Sequence, residues 1–497
     1  MEPALAQLRQ RLAEIDDLSR AQSVLWWDHD VWMPSRGGAS RATQLATLEG
    51  LVHGKQIDPR IGELVDELAP YAADLPPDHL DACLIRVARR NWERATRVPV
   101  ELAAELAQTE AEAHQAWVEA RENDDFAAFR PWLERMLELR VRWAGHVGPD
   151  EPPYEVLLDE FEEGLRSEDV RAIFTVLQPE LTALVAEHAD DDADDVLRGP
   201  FAIDVQDRLS RELVEAFGGR WDAFRLDLTV HPFQVTFGQD DIRLTTRYAE
   251  DDLNSLFTAM HECGHGLYEW GSSPELDRTP LAGCWSSTLH ESQSRLWENV
   301  VGRSLPFWRW FHPRVQRAFP DRLGDVSLDE LHRAVNRTQR SFVRVDADET
   351  SYGLHIILRF ELETALVSGE LAVKDLSEAW NARFEELLGL EVPNDRLGVL
   401  QDSHWSSGSF GYFPTYLLGS VLSVQIAERA REATPDLDEQ FERGEFSELH
   451  AWLRENLYSL GSRLTPEDTI ERIAGGPIDP QPYLRYLAEK LDAVAAA

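Results

Sequence analysis

Apolar residues recur at the three-to-four spacing of a single helix face from the start of the chain, at Leu5, Leu8, Leu12, Ile15 and Leu18. Segments 100–122 and 126–146 continue in the same style, Ala- and Glu-rich and made of good helix formers. Beyond the centre, 351–368 is stopped by Gly369, and 416–432 has the same helical character. Segment 466–474 is entered through Thr465-Pro466 with Asp468 in capping position. The pattern breaks once. In 225–248 β-branched and aromatic residues alternate, and Gly238-Gln239-Asp240-Asp241 sits where a hairpin would turn. The expectation is a mainly α fold with one small antiparallel sheet just ahead of the central helices. The edge of such a sheet can pair with an extended peptide; a hairpin that only packs on helices is the equal alternative. No stretch of the 497 residues marks a domain boundary.

Charge narrows the partners. The chain carries 49 Lys+Arg against 90 Asp+Glu, a formal net charge of −41. Nucleic acid and anionic membrane are excluded by repulsion over most of the surface. Only Lys55, Lys374 and Lys490 are lysines, and 43% of residues are hydrophobic, enough for a large core. Dense carboxylate, few lysines and a competent core together predict a halophilic protein, since at ~1 M ionic strength the screening length falls to about 3 Å. The run Asp190, Asp191, Asp192, Asp194, Asp195 reads as a solvated loop, lacking the spaced ligands and Gly of a calcium loop. The N-terminal segment has no basic stretch and apolar core, and no run approaches the roughly 18–20 apolar residues of a membrane span. Cys83, Cys263 and Cys284 do not make a disulfide framework, so a cytoplasmic protein is expected.

The chemistry concentrates at His261-Glu262-Cys263-Gly264-His265. Two histidines at i and i+4 lie on one helix face and can share one tetrahedral ion. The glutamate after the first His then sits beside the metal, where it can take a proton from bound water. Leu256, Phe257, Met260 and Leu267 supply a buried face, while Gly264 and Gly266 imply a close approach to that backbone. A catalytic zinc needs a third protein ligand. No third His follows at the H-x-x-G-x-x-H spacing. Glu291, 26 residues beyond His265, stands on what reads as the next helix and would give His2Glu ligation. Glu269 is the weaker candidate. Cys263 turns away from the His face toward the core, and Cys284 reads as a small buried residue. Zinc lowers the pKa of its water and polarises a carbonyl, so peptide hydrolysis with Glu262 as general base fits this layout.

The ordered motifs of the chain resemble those of the Taq-type (thermostable) zinc carboxypeptidases. They are His231-Pro232-Phe233, Asp241-Ile242-Arg243-Leu244-Thr245, HECGH, His290-Glu291-Ser292-Gln293, Val343-Arg344 through Asp348, and Gly398 through Gln401-Asp402-Ser403-His404-Trp405. LWWDHDVWMP at 25–34 and FGYFPTYLLG at 410–419 belong to the same likeness, which spans nearly the whole chain. Val343, Cys263 and Gly266 depart mildly from the usual residues. The resemblance implies a single domain over 1–497, with helical lobes 1–220 and 300–497 around the sheet and zinc region 225–300 and a deep central cleft. It further implies a homodimer, and release of single residues from peptides with a free C-terminus. His261, His265 and Glu291 become the metal ligands and Glu262 the base, with Co2+ or Mn2+ able to replace Zn2+ in the same donor set.

Reading a free carboxylate calls for a guanidinium fork. Arg344 is the choice because it lies in a family motif, although with Asp348 at i+4 it could form only a helix ion pair. Arg243 is the rival, or else a brace of its own sheet. Tyr412 is favoured as oxyanion donor over Tyr416 and His404. His355 shares a helix face with Tyr352 and Arg359 and is placed, with His404, among the substrate-binding residues. Trp26, Trp27 and Trp405 read as core. A zinc oligoendopeptidase and a helical metal-binding scaffold are the competing readings; an intact Glu262 speaks against the second, because a structural zinc needs no base.

Overall fold

The computed structural model describes residues 2–190 and 196–496; positions 191–195 of the acidic run lie outside the described residues. The chain opens with the helix Glu2–Val31, and the predicted helical stretches appear as Val100–Asn123, Phe126–Val147, Tyr352–Ser368, Phe413–Ala433 and Pro466–Ala474. Their ends obey the local chemistry. Gly369 closes its helix at φ +79, in the left-handed region that favours glycine, and the Thr465 side chain accepts from the Asp468 N–H. From Phe413 to Ala427 every residue except Tyr416 is buried. That helix runs through the core rather than over it.

The sheet has three strands, β1 (Phe224–Leu228), β2 (Gln234–Gly238) and β3 (Asp241–Thr246), in the order β1-β3-β2. β2 and β3 form the expected antiparallel hairpin, but β1 runs parallel to β3, so the sheet is mixed rather than antiparallel. The His231-Pro232-Phe233 connection is the reason. Thr245 Oγ1 accepts from the Phe233 N–H at 2.7 Å and donates to its carbonyl at 2.8 Å, which binds the connection to the far end of β3. The chain therefore starts back along β3 as β2 and leaves β1 on the other flank. Alternation of side chains reports strands, not their partners or directions.

One sheet face packs on the helix Asn254–Trp270: a Cβ added at Gly266 would lie 2.9 Å from Leu244 and 3.0 Å from Ile242. The other face meets the first helix through Trp26 on Phe233 (4.7 Å) and Trp27 on Phe237 (6.1 Å). Trp27 and Trp405 are buried as expected, whereas Trp26 is 43% exposed. The packing divides the chain earlier than residue 220. Leu8, Leu12, Leu64, Leu68 and Leu84 form a small separate core joined by Leu276 and Leu281, while helices from about residue 100 onward share the main core. Among the described residues no helix is long and apolar enough to cross a membrane.

Candidate active site

His261 and His265 project from one face of the helix Asn254–Trp270, their ring centres 4.9 Å apart. Glu291 comes from the next helix, Ser287–Arg295, and its Oε2 lies 3.7 Å from His261 Nε2 and 3.5 Å from His265 Nε2. Ligand atoms about 2.1 Å from a tetrahedral ion stand about 3.4 Å apart, so the donor set fits a metal of zinc's size and geometry. The three donor atoms lie within 4.8 Å of one another. The two predicted close approaches are both present, one bringing the second helix near and the other the sheet. A Cβ at Gly264 would meet the Gln293 carbonyl at 2.5 Å, and one at Gly266 would strike the sheet. A third glycine was not foreseen: a Cβ at Gly419 would stand 2.7 Å from the Glu291 Cβ, so the helix Phe413–Ala433 presses directly on the third ligand.

Each ligand is held from behind. With His261 Nε2 facing the shared position, its Nδ1–H donates to Glu298 Oε2 at 2.8 Å. Glu298 stands on a turn of π-helix, Leu296–Val301, that continues the Glu291 helix. His265 Nδ1–H points at His290 Nδ1, 2.5 Å away, and His290 Nε2–H donates to Glu269 Oε1 at 3.1 Å. Glu269, weighed as a possible ligand, instead anchors His290 and accepts the Cys284 N–H. Arg295 donates to Glu291 Oε1 at 2.7 Å. Burial alone would raise the Glu291 carboxyl, but Arg295, then His261 and His265, hold it well below the usual carboxylate range. Burial pushes Glu262 up to about 7, His261 opposing and Glu291 and Glu298 adding to the rise, which places its carboxyl within the field of the donors. Glu262 itself is buried, while the His261 and His265 side chains retain 19% and 15% exposure, so the group opens to solvent on one side. Cys263 is fully buried, as predicted, and Cys284 is partly buried with its thiol donating to the Ser286 carbonyl.

Tyr412, Tyr416 and Gly419 occupy successive turns of one face of the helix beginning at Phe413. Gly419 touches Glu291, the two tyrosines stand one and two turns nearer the helix N-terminus on the same face, and the Glu291 charge acts on both phenols. Tyr412 packs edge-on against Tyr416 (5.0 Å) and Phe161 (5.0 Å). His404 Nε2 lies 3.1 Å from the Tyr416 hydroxyl, and its ring rests on Phe413 at 4.4 Å. Burial brings the His404 pKa down to about 4, with Asp402 opposing. The tyrosine phenols are pushed up by burial and then, for Tyr412, by Glu291, which keeps Tyr412 a donor at neutral pH.

The predicted substrate residues separate here. Arg344 lies in a 3-10 turn, Arg344–Asp346, not an α-helix, so the i+4 pair with Asp348 is not made; Asp348 accepts the Thr350 and Ser351 N–H groups instead. Arg344 Nε and Nη2 donate to Asp402 Oδ1 at 3.0 and 2.8 Å, and Nη1 to the Tyr352 hydroxyl at 3.1 Å. Two of its five N–H bonds are left over. Asp402 is also taken by Arg359, fully buried beneath it, through Nε at 2.6 Å. Two guanidiniums therefore share one carboxylate, and the cluster keeps one positive charge. His355 does not line an opening. It is fully buried against Phe384 (5.5 Å), because its helix face meets another helix and not solvent. Arg243 grips Asp241 of its own strand and stacks over Trp27 (5.0 Å) and Phe237 (5.2 Å), which makes it a brace between the sheet and the first helix.

A helix-borne His2Glu group with an adjacent buried glutamate is the layout of a metallopeptidase. Residues 7–491 match the family model described as Carboxypeptidase Taq (M32) metallopeptidase, and the chain belongs to that family. It is 40% identical to thermostable carboxypeptidase 1 of Thermus thermophilus, with 99% of each chain covered, and 36% identical to carboxypeptidase 1 of Bacillus subtilis, with 96% of each covered. The crystal structure of the M32 carboxypeptidase of Deinococcus radiodurans superposes with a TM-score of 0.96 at 39% identity over 100% of both chains. The protein is thus a hydrolase acting on peptides, a metallocarboxypeptidase with the single-domain helical fold of that family.

Proposed function

We propose that the enzyme is zinc-dependent and removes single residues of broad identity from free peptide C-termini, with Glu262 as general base. The observation that carries this reading is the pairing of the His261–His265–Glu291 group with a buried guanidinium cluster holding an unmatched positive charge. Bound zinc would supply Lewis-acid polarisation of the scissile carbonyl and a water of lowered pKa; Co2+ or Mn2+ would serve the same donors. Glu262 accepts the proton of the attacking water and passes it to the leaving amine. Arg344 presents its two spare N–H bonds to the terminal carboxylate, and that carboxylate completes the charge of Arg344, Asp402 and Arg359. Tyr412 donates to the developing oxyanion, with Tyr416 and His404 orienting it. Arg243 acts from the sheet, bracing the wall along which the peptide lies, and His355 supports Arg359 from within the core. The same reading makes the enzyme a cytoplasmic homodimer; its three free thiols suit a reducing compartment.

One peptide offered with a free and with an amidated C-terminus tests the assignment. The free acid should lose one residue at a time, and the amide should react about 100-fold more slowly or less, having no charge for the clamp. Equal cleavage of both at an internal bond would make the enzyme an oligoendopeptidase.

The net charge of −41 supports a salt-requiring enzyme, because a molecule with that field repels the carboxylate it must capture. Dilution from molar salt to ~0.1 M lengthens the screening distance to about 10 Å. Melting temperature and kcat/KM should both fall on dilution. Full stability and activity at low salt would overturn the halophilic reading and leave the peptidase reading intact.

A further inference from the structure

Two buried carboxylates take no part in the chemistry, and both meet the short helix Pro153–Phe161 or its end. Glu162 directly follows that helix and is 3% exposed. Its Oε1 accepts from Ser286 Oγ at 2.6 Å and its Oε2 from the Thr288 N–H at 2.9 Å. Ser286 is the N-cap of the Glu291 helix and its oxygen accepts the Leu289 N–H at 3.0 Å, so Glu162 completes the cap of the helix that carries the third metal ligand. Glu363 is fully buried and accepts from Tyr154 Oη at 2.6 Å, Trp405 Nε1 at 3.3 Å and the Gly411 N–H at 3.1 Å. Tyr154 lies on the same short helix. Gly411, at φ +92, allows the loop to touch that helix, since a Cβ there would stand 2.8 Å from the Leu157 backbone. Phe161, the last residue of the helix, packs on Tyr412 at 5.0 Å.

One nine-residue helix thus touches both halves of the site. We infer that segment 153–162 is a strut that sets the spacing between the metal donor Glu291 and the oxyanion donor Tyr412, with Glu162 positioning the first and Glu363 the second. The strut holds at three points. Glu162 fixes the start of the Glu291 helix, Glu363 ties Gly411 and Trp405 to Tyr154, and Phe161 backs the Tyr412 ring. Neither carboxylate forms an ion pair with a described residue, so each is retained for its acceptor geometry. Burial raises both pKa values, Glu363 to about 7, with the hydrogen-bond donors opposing it in each case and Arg359 adding to that opposition at Glu363.

The Glu363 half rests on the proposed role of Tyr412, whereas the Glu162 half does not. Glu162→Gln and Glu363→Gln would be made in the full-length enzyme with Tyr412→Phe and Glu363→Gln/Tyr412→Phe, and each would be checked for folding by thermal melting. Zinc affinity would be read by chelator competition, and kcat and KM on a free-acid peptide. Glu162→Gln should weaken zinc binding about 10-fold or more, the effect of a lost supporting partner, while Glu363→Gln leaves zinc affinity unchanged. Glu363→Gln should lower kcat about 10-fold with KM within about twofold, and the double variant should be no slower than Tyr412→Phe alone. Tyr154→Phe removes one of the three donors and should give a milder form of the same kcat effect, which keeps the test available if Glu363→Gln does not fold. Unchanged zinc affinity in Glu162→Gln, or kcat losses that multiply in the double variant, would overturn the strut. A Tyr412→Phe enzyme with wild-type kcat would instead remove Tyr412 from the mechanism, and the Glu363 half with it, leaving the zinc measurement to decide the Glu162 half.

Discussion

Glu262→Gln is expected to lower kcat by about 10²–10⁴-fold while zinc content and KM stay near those of the wild type. The substitution is nearly isosteric, and Glu262 touches the donors only through its field, so His261, His265 and Glu291 keep their places. Its glutamine amide cannot accept a proton, and the step from water to leaving amine loses its carrier. The site offers no ready substitute. Glu298 already accepts the His261 Nδ1–H, Glu269 is spent on His290 and Cys284, and Glu291 Oε1 is taken by Arg295. Side-by-side kcat and metal analysis decide the matter. A variant that keeps its zinc and its turnover would show that Glu262 is not the base, and loss of zinc would make the residue structural.

What the sequence foretold and what it hid follow from the range of each interaction. The helix periods, the HECGH face and the close approaches at Gly264 and Gly266 are local or nearly so, and each is present in the fold. Glu298 was within reach, since it stands seven residues past Glu291 on a nearly helical path, but its role depends on a π-turn that no spacing rule announces. Glu162 and Glu363 were invisible because their partners lie more than a hundred residues away for Glu162 and across several elements for Glu363. His355 shows the opposite limit. Helix spacing correctly put it on one face with Tyr352 and Arg359, yet shared facing does not tell a face that meets solvent from one that meets a neighbouring helix. The direction of β1 was lost for a similar reason: alternation has no sense of polarity.

Arg344→Ala carries the second large effect, and its reading depends on comparing two substrates. On a free-acid peptide kcat/KM should fall by about 10²–10³-fold, the usual consequence of removing one partner of a buried charged contact. On the amidated peptide it should hardly change, because that substrate never used the clamp. Arg344 is only 7% exposed and shares Asp402 with the fully buried Arg359, so the alanine variant leaves one guanidinium against one carboxylate and the local charge goes to zero. The positive well that offsets a −41 field would then be gone, and the dependence of KM on salt should steepen in the variant, since only screening would remain to admit an anion. Arg243→Ala gives the contrast. Arg243 is held by Asp241 and lies over Trp27 and Phe237, so its loss should lower the melting temperature and preserve the preference for a free C-terminus. If Arg243→Ala erased that preference and Arg344→Ala kept it, the carboxylate would be read from the sheet, and the charge left over at Asp402 would need another purpose.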